Sequence, residues 1–213
     1  MSLFMILFEV LGTIAFSVSG AIEAMKKEMD LLGVLVLGLI TAIGGGMLRD
    51  VLMGELPPAA FQTPWIALIA LCAAFIAFFM GAVLSKYHKE VHSRIFNILL
   101  LVSDAIGLGT FTVLGIRYVQ AQAGYDNPVL LLFVGVVTGV GGGVMRDVLA
   151  GNVPFIFRKH VYATASIAGA VVYLALAERG SADFAASVSL LTVLVLRLLA
   201  AKFKWNLPIV HLK

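Results

Sequence analysis

Two stretches of this chain set an arginine and an aspartate side by side, a few residues after three consecutive glycines. The first reads Gly44-Gly45-Gly46-Met47-Leu48-Arg49-Asp50, with Gly54 following. The second reads Gly141-Gly142-Gly143-Val144-Met145-Arg146-Asp147, with Gly151 following. Each lies at the end of a long apolar run. Glycine in a helix interior costs about 1 kcal/mol relative to alanine. A triplet therefore serves either an unwound or kinked turn, or close packing of two helices. The charged pair after each triplet favours a kink beside a polar path. Carbonyls freed by a kink can hold a cation, and a half-helix N-terminus can meet a carboxylate or anion. Neighbouring helical residues point about 100° apart. Arg49 and Arg146 are thus expected to pair with groups on other segments, the alternative being snorkelling to an interface.

Other polar residues interrupt the apolar runs. Glu9 and Asp104 are lone carboxylates, and an ionisable group inside such a run marks a functional site by default. Asp104 is expected to bond a motif arginine in preference to ligating an ion directly. The hydroxyls of Thr13, Ser17, Ser19, Thr41, Ser103, Thr110, Thr112 and Thr138 suit a hydrated wall, although such groups often bond their own backbone. Arg197 is expected to be a snorkelling anchor at a span end. His88 and His92 have i,i+4 spacing but sit among Lys86, Lys89 and Glu90 without a third ligand, so no metal site is expected. No phosphate-binding loop, nucleophile elbow or Ser/His/Asp arrangement is present. The chain is not expected to be an enzyme and has no catalytic candidate. A Thr-Val-Gly-Tyr-Gly filter is also absent.

These residues need membrane helices to position them. The 213 residues are 61% hydrophobic and 13% charged, with mean hydropathy +1.04. A soluble domain is about 25% charged. An all-α protein embedded in a lipid bilayer follows. The lone Cys72 excludes an intrachain disulfide, and the lack of a basic arm argues against nucleic acid as a partner. Seven apolar segments approach the length that spans about 30 Å of hydrocarbon: 3–23, 31–53, 65–85, 95–116, 128–150, 160–178 and 185–203. The first is read as a span, being too long for a secretory signal core. All six prolines lie outside span interiors. Ten Lys and Arg residues fall in the first, third and fifth loops and the C-terminal tail, against two elsewhere between spans. The positive-inside rule then puts the N-terminus outside and the C-terminus in the cytoplasm.

The two glycine motifs are 97 residues apart, and Gly54 and Pro57 match Gly151 and Pro154 at that offset. The first and fourth spans match at an offset of 95, pairing Glu9 with Asp104, Gly12 with Gly107, Phe16 with Phe111 and Gly20 with Gly115. The chain reads as one transmembrane domain over 1–213. Within it, 1–86 and 94–179 are three-span repeats, and 185–203 is an added seventh helix. An odd number of spans per repeat inverts the second copy, with a pseudo-twofold axis in the membrane plane.

Seven spans, two repeats and Gly-Gly-Gly-x-x-Arg-Asp in the second and fifth spans resemble the trimeric intracellular cation channel (TRIC) family, in its prokaryotic branch. The resemblance covers essentially the whole chain. It implies an ion channel in a prokaryotic plasma (inner) membrane, a homotrimer with a pore in each subunit. Potassium chiefly, with sodium, would be the permeant ion, and no cofactor is implied beyond bound K+ or Na+. Carried onto this chain, the kinks would be Gly44, Gly45, Gly46 and Gly141, Gly142, Gly143, with Arg49, Asp50, Arg146 and Asp147 lining or bracing the pore. Thr41, Thr138 and Asp104 join them as candidates for the ion path. The Lys-Glu-Val motif of animal members is absent from the second span. Bacterial relatives with this repeat have also been grouped as glycine transporters, so a secondary carrier for a small solute such as glycine stays open.

Overall fold

The computed structural model describes residues 2–84, 89–121, 127–158 and 161–205, without the side chains of 89–93 and 158. His88 and the His92 side chain lie outside the described residues, as do Lys86, Lys159 and Lys213. Among the described residues there are nine helices and no strand. They are α1 (Leu3–Lys26), α2 (Leu31–Met53), α3 (Ala59–Gln62), α4 (Pro64–Leu84), α5 (Lys89–Ala121), α6 (Pro128–Leu149), α7 (Phe155–Arg158), α8 (Ala163–Ala177) and α9 (Ala182–Phe203). Six of these are long and apolar enough to cross a membrane. The expected all-α membrane fold with seven apolar helices is present. The starts are chemically marked. Asp30 accepts a hydrogen bond from the Gly33 amide at 2.8 Å, and Asn127 accepts one from Val129 at 2.9 Å with Pro128 in the first turn.

The polarity is that of a protein in lipid. Leu68, Ile76, Phe79, Met80 and Val83 of α4 face outward, while Asp104, Arg146 and Asp147 are fully buried. The sixth apolar segment departs from expectation. Its helix is α8, with only 15 residues, about 22 Å long at the usual rise. Residues 155–158 form the separate helix α7, and the chain turns at Val161, where φ is 53°. That turn delivers Tyr162 to the interior, at the start of α8.

The centre is the crossing of α2 and α6. Both helices run unbroken through their glycine triplets. The expected loss of regular backbone at Gly44–Gly46 and Gly141–Gly143 is corrected by this finding. The glycines serve approach instead. A Cβ on Gly45 would collide with the Thr138 carbonyl oxygen, and one on Gly142 with the Thr41 carbonyl oxygen. Gly44 lies beside Met145, and Gly141 beside Leu48. Positions that rise along α2 thus fall along α6, so the two helices cross antiparallel.

These contacts come in matched sets. Gly45 on Thr138 and Gly142 on Thr41 correspond at the 97-residue offset. Gly20 packs on Thr41 and Gly38, and Gly115 packs on Thr138 and Gly135. Phe16 of α1 and Phe111 of α5 stack on each other, with centroids 5.3 Å apart and planes at 16°. Each ring lies against the glycine that matches its partner's: Phe16 on Gly107, Phe111 on Gly12.

Close approach makes these glycines unequal. A Cβ on Gly46 would meet only the far end of Arg49, at 3.8 Å. Gly45→Ala and Gly142→Ala are expected to destabilise by about 1–3 kcal/mol through overpacking. Gly46→Ala should be neutral or stabilising by up to about 1 kcal/mol. Thermal unfolding of the purified protein in detergent measures this; equal shifts for all three variants would remove the backbone contact as the reason for the triplets.

Candidate functional site

The sequence sets an arginine four residues beyond each crossing glycine. Because the helices are antiparallel, Arg49 and Arg146 lie on opposite sides of the crossing, each roughly 6 Å along its helix at 1.5 Å per residue. The crossing is therefore flanked by two arginine centres.

At the second centre the Arg146 guanidinium is fully buried. Its Nη1 donates to Asp104 Oδ1 at 2.6 Å and to the Ser19 hydroxyl. Its Nε donates to Asp147 Oδ1 at 2.9 Å. Three helices, α1, α5 and α6, are joined by this one side chain. Asp104 receives more. Arg197 of α9 donates from Nη2 to Oδ2 at 3.2 Å, and the Tyr162 hydroxyl donates to Oδ1 at 3.3 Å. Phe155 stacks over Arg146 at 4.8 Å, and Tyr162 over Arg197 at 4.6 Å.

The first centre repeats part of this pattern. Arg49 donates from Nε at 2.9 Å and Nη2 at 2.7 Å to Asp50 Oδ1. Its guanidinium lies 3.8 Å above the Tyr118 ring of α5. Glu9 of α1 is half-buried. The Arg49 side chain keeps 12% exposure where that of Arg146 keeps none.

The motif aspartates have a second task. Asp50 Oδ2 accepts the Ala59 amide at 2.8 Å, at the first residue of α3. Asp147 Oδ2 accepts the Phe155 amide at 2.8 Å, at the first residue of α7. Gly54 and Gly151 adopt φ of 75° and 69°, the left-handed conformation that ends each long helix. The Glu55 amide then returns to the Asp50 carbonyl, and the Asn152 amide to the Asp147 carbonyl, both at 2.8 Å. Each aspartate thereby holds its arginine and fastens the turn beyond it.

Several expectations meet their outcome here. Asp104 does bond a motif arginine. The motif Arg–Asp neighbours also bond each other, contrary to expectation, because the long arginine side chain folds back across the 100° between them. Arg197 does not snorkel: it is 3% exposed and reaches inward to Asp104. The Thr41 and Thr138 hydroxyls donate to Leu37 and Val134 of their own helices, at 2.6 and 2.7 Å. Those of Thr13 and Thr110 are buried with no hydrogen-bond partner among the described residues. Sequence reasoning passed over Tyr162, Tyr118 and Glu23. Buried Glu23 accepts from Asn152 Nδ2 at 2.6 Å, beside Lys26, which donates to Asn97 at 2.9 Å. Among the described residues no cluster of three or more His, Cys, Asp or Glu side chains fits a metal ion.

A protein-family model described as "Glycine transporter" matches residues 6–82 and 101–178, one segment in each half of the chain. The UPF0126 inner membrane protein YadS of Escherichia coli K12 is 35% identical over 203 residues, covering 94% of this chain and 93% of its own. The structure reported as "Structural basis for conductance through TRIC cation channels" is 39% identical, covers 97% of each chain and gives a TM-score of 0.80. A second, reported as "Crystal structure of a prokaryotic TRIC channel in 0.5 M KCl", is 30% identical over 97% of this chain and all of its own, with a TM-score of 0.85. The chain belongs to the TRIC family. It is a multi-pass membrane protein of that fold, and the same family carries the glycine-transporter description.

In this TRIC chain the two centres differ in solvation, so loss of each arginine should differ in cost. Arg146→Gln strips a wholly buried charge from two carboxylates and is expected to cost about 3–5 kcal/mol. Arg49→Gln should cost less, since Arg49 itself keeps some contact with water and its loss strands one carboxylate, Asp50, where the loss of Arg146 strands two. Chemical denaturation in detergent compares them; an equal loss would mean that burial does not govern these pairs.

Proposed function

We propose that this protein is a monovalent cation channel, chiefly for potassium, with one pore in each subunit of a homotrimer. It would act in the plasma membrane of a prokaryote, with the N-terminus outside and the C-terminus in the cytoplasm. We also read residues 1–86 and 94–179 as inverted repeats, the axis passing between Phe16 and Phe111, with 185–203 appended.

The reading is carried by the two neutralised arginine centres on either side of one antiparallel crossing. A bare guanidinium beside a narrow path would repel a cation. Here each is matched by carboxylates: Asp50 at one centre, Asp104 and Asp147 at the other. Oxygen ligands are present without any unwinding. The Thr41 and Thr138 carbonyls face the partner helix, and the Thr13 and Thr110 hydroxyls have no competing partner. Such oxygens can replace part of an ion's water shell. Gly141 and Gly45 meet backbone to backbone, so the crossing itself is closed, and conduction requires α2 and α6 to part or the ion to pass beside them on the α1 and α5 side. Membership of a family whose solved members are reported as cation channels supports the same reading.

The decisive measurement is potassium and glycine flux side by side in proteoliposomes, with bilayer recording of the same preparation. Unitary potassium currents are expected, and Asp50→Asn and Asp147→Asn should each lower cation conductance in protein that still assembles. Saturable glycine flux without unitary current would overturn the channel reading. Unchanged currents in both variants would remove the carboxylates from the mechanism.

A further inference from the structure

The third glycine of each triplet separates the two halves. A Cβ on Gly46 would have only Arg49 near it, at 3.8 Å, whereas one on Gly143 would meet the Tyr162 hydroxyl oxygen at 2.5 Å. The space that Gly46 leaves free beside its arginine is filled, at Gly143, by a phenol. Tyr162 is 2% exposed, and its hydroxyl donates to Asp104 Oδ1 at 3.3 Å, the same oxygen that Arg146 holds. Asp104 and Ser19 place this group on the α1 and α5 side of the crossing, where an ion would pass. The residue that matches Tyr162 at the 97-residue offset is Trp65, which is 41% exposed and lies outside the core. The first half therefore has no corresponding phenol.

We infer that Tyr162 is the group that closes the ion path at Asp104, its hydroxyl standing where a permeant cation or its water would sit. The group is removable. Its hydrogen bond is longer than the usual O–H···O separation of about 2.7–2.8 Å, and therefore weak. Asp104 does not depend on it, since Arg146 and Arg197 hold the carboxylate from both sides. The Tyr162 ring rests edge to face on Phe155, with centroids 6.3 Å apart, and under Arg197. Those two side chains also form part of the wall of a cavity of about 380 Å³ between α5 and α9, whose rim carries the exposed Asn97 and Lys204. The ring has room to turn toward that cavity, and its departure joins the cavity to the Asp104 carboxylate. The turn that holds it is strained, because Val161 is β-branched and has φ of 53°. A strained turn carrying one buried side chain is suited to a second position, and the repeat did not supply it.

This inference rests on the channel reading, and the test separates the two. Single-channel recording in symmetrical potassium chloride reads the ratio of open to closed time. Tyr162→Phe keeps the ring and deletes the hydroxyl. The ratio is expected to rise roughly three- to tenfold, the size of one net hydrogen bond, with unitary conductance unchanged. Gly143→Ala reaches the same group from the other side. Its Cβ displaces the hydroxyl oxygen but would lie 3.5 Å from the ring carbon that bears it, an ordinary contact. Gly143→Ala should therefore raise the ratio by itself and add nothing to Tyr162→Phe. General loosening of the fold would instead give effects that add in the double variant. If Tyr162→Phe does not assemble, Gly143→Ala decides by itself: a raised ratio upholds the role of the hydroxyl, and an unraised one ends it. A wild-type protein without unitary current would defeat the channel reading itself. A wild-type channel whose ratio Tyr162→Phe fails to raise, or in which the two effects add, would overturn the role given to Tyr162.

Discussion

Everything in this molecule has to accommodate one guanidinium held out of water at Arg146. An ion moved into a protein interior loses several kcal/mol of hydration even after relaxation. Neutralisation by Asp104 and Asp147 offsets that cost, and each carboxylate brings a further constraint. Asp147 can serve only if α7 begins where its second oxygen points. Asp104 can serve only if α5 packs at the depth of Arg146, with Ser19 of α1 closing the remaining side. The relative depth of three spanning helices is thus fixed by the donors of one side chain. Apolar packing alone is poorly suited to this, since lipid tails compete on equal terms with leucine.

The same motif at the other end shows which parts of the device are general. In both copies the aspartate bonds its neighbouring arginine and caps the short helix beyond the turn. In both, a glycine in the left-handed region ends the long helix. These parts follow from local sequence and therefore recur wherever it does. Depth of burial does not recur. Arg49 keeps contact with water and rests on Tyr118, whereas Arg146 is fully buried against Ser19 of α1, Asp104 of α5 and Phe155 of α7, with Tyr162 and Arg197 closing over Asp104. Local chemistry sets the pairings; the single seventh helix and the turn before α8 make the two ends different.

How far the sequence reveals this depends on whether each signal has one physical meaning. Seven apolar runs have one, and the helices follow them, apart from α8, whose start is displaced by the turn at Val161. A carboxylate in mid-span also has nearly one meaning, and Asp104 finds its arginine. Three glycines have two, since the missing side chain that loosens a helix also lets another helix lie against it. Nothing along the chain separates the two, because what decides is the Thr138 carbonyl, 93 residues beyond Gly45. Arg197 is ambiguous for a similar reason. Near a span end it can extend to the headgroups at little cost, and only the position of Asp104 turns it inward. Tyr162 has no sequence signal, being one tyrosine in a short connection whose value comes from where the turn points it.

The unbroken helices change what a conducting state must involve. Had the triplets been unwound, carbonyls would be permanently on offer and the path could be open at rest. With both helices intact, Gly45 and Gly142 touch the Thr138 and Thr41 carbonyls directly, and the contact leaves no room for an ion. Glycine nevertheless makes this contact easy to loosen. Backbone meets backbone at its centre and flexible side chains, Met145 on Gly44 and Leu48 on Gly141, meet glycine at its edges, so parting the helices forfeits mainly dispersion between small groups. The resistance to parting then lies at the arginine centres, where Ser19 and Asp104 tie α6 to α1 and α5. A weak contact in the middle held by strong polar ties at its flanks is the arrangement in which a small change in those ties has the largest effect on opening.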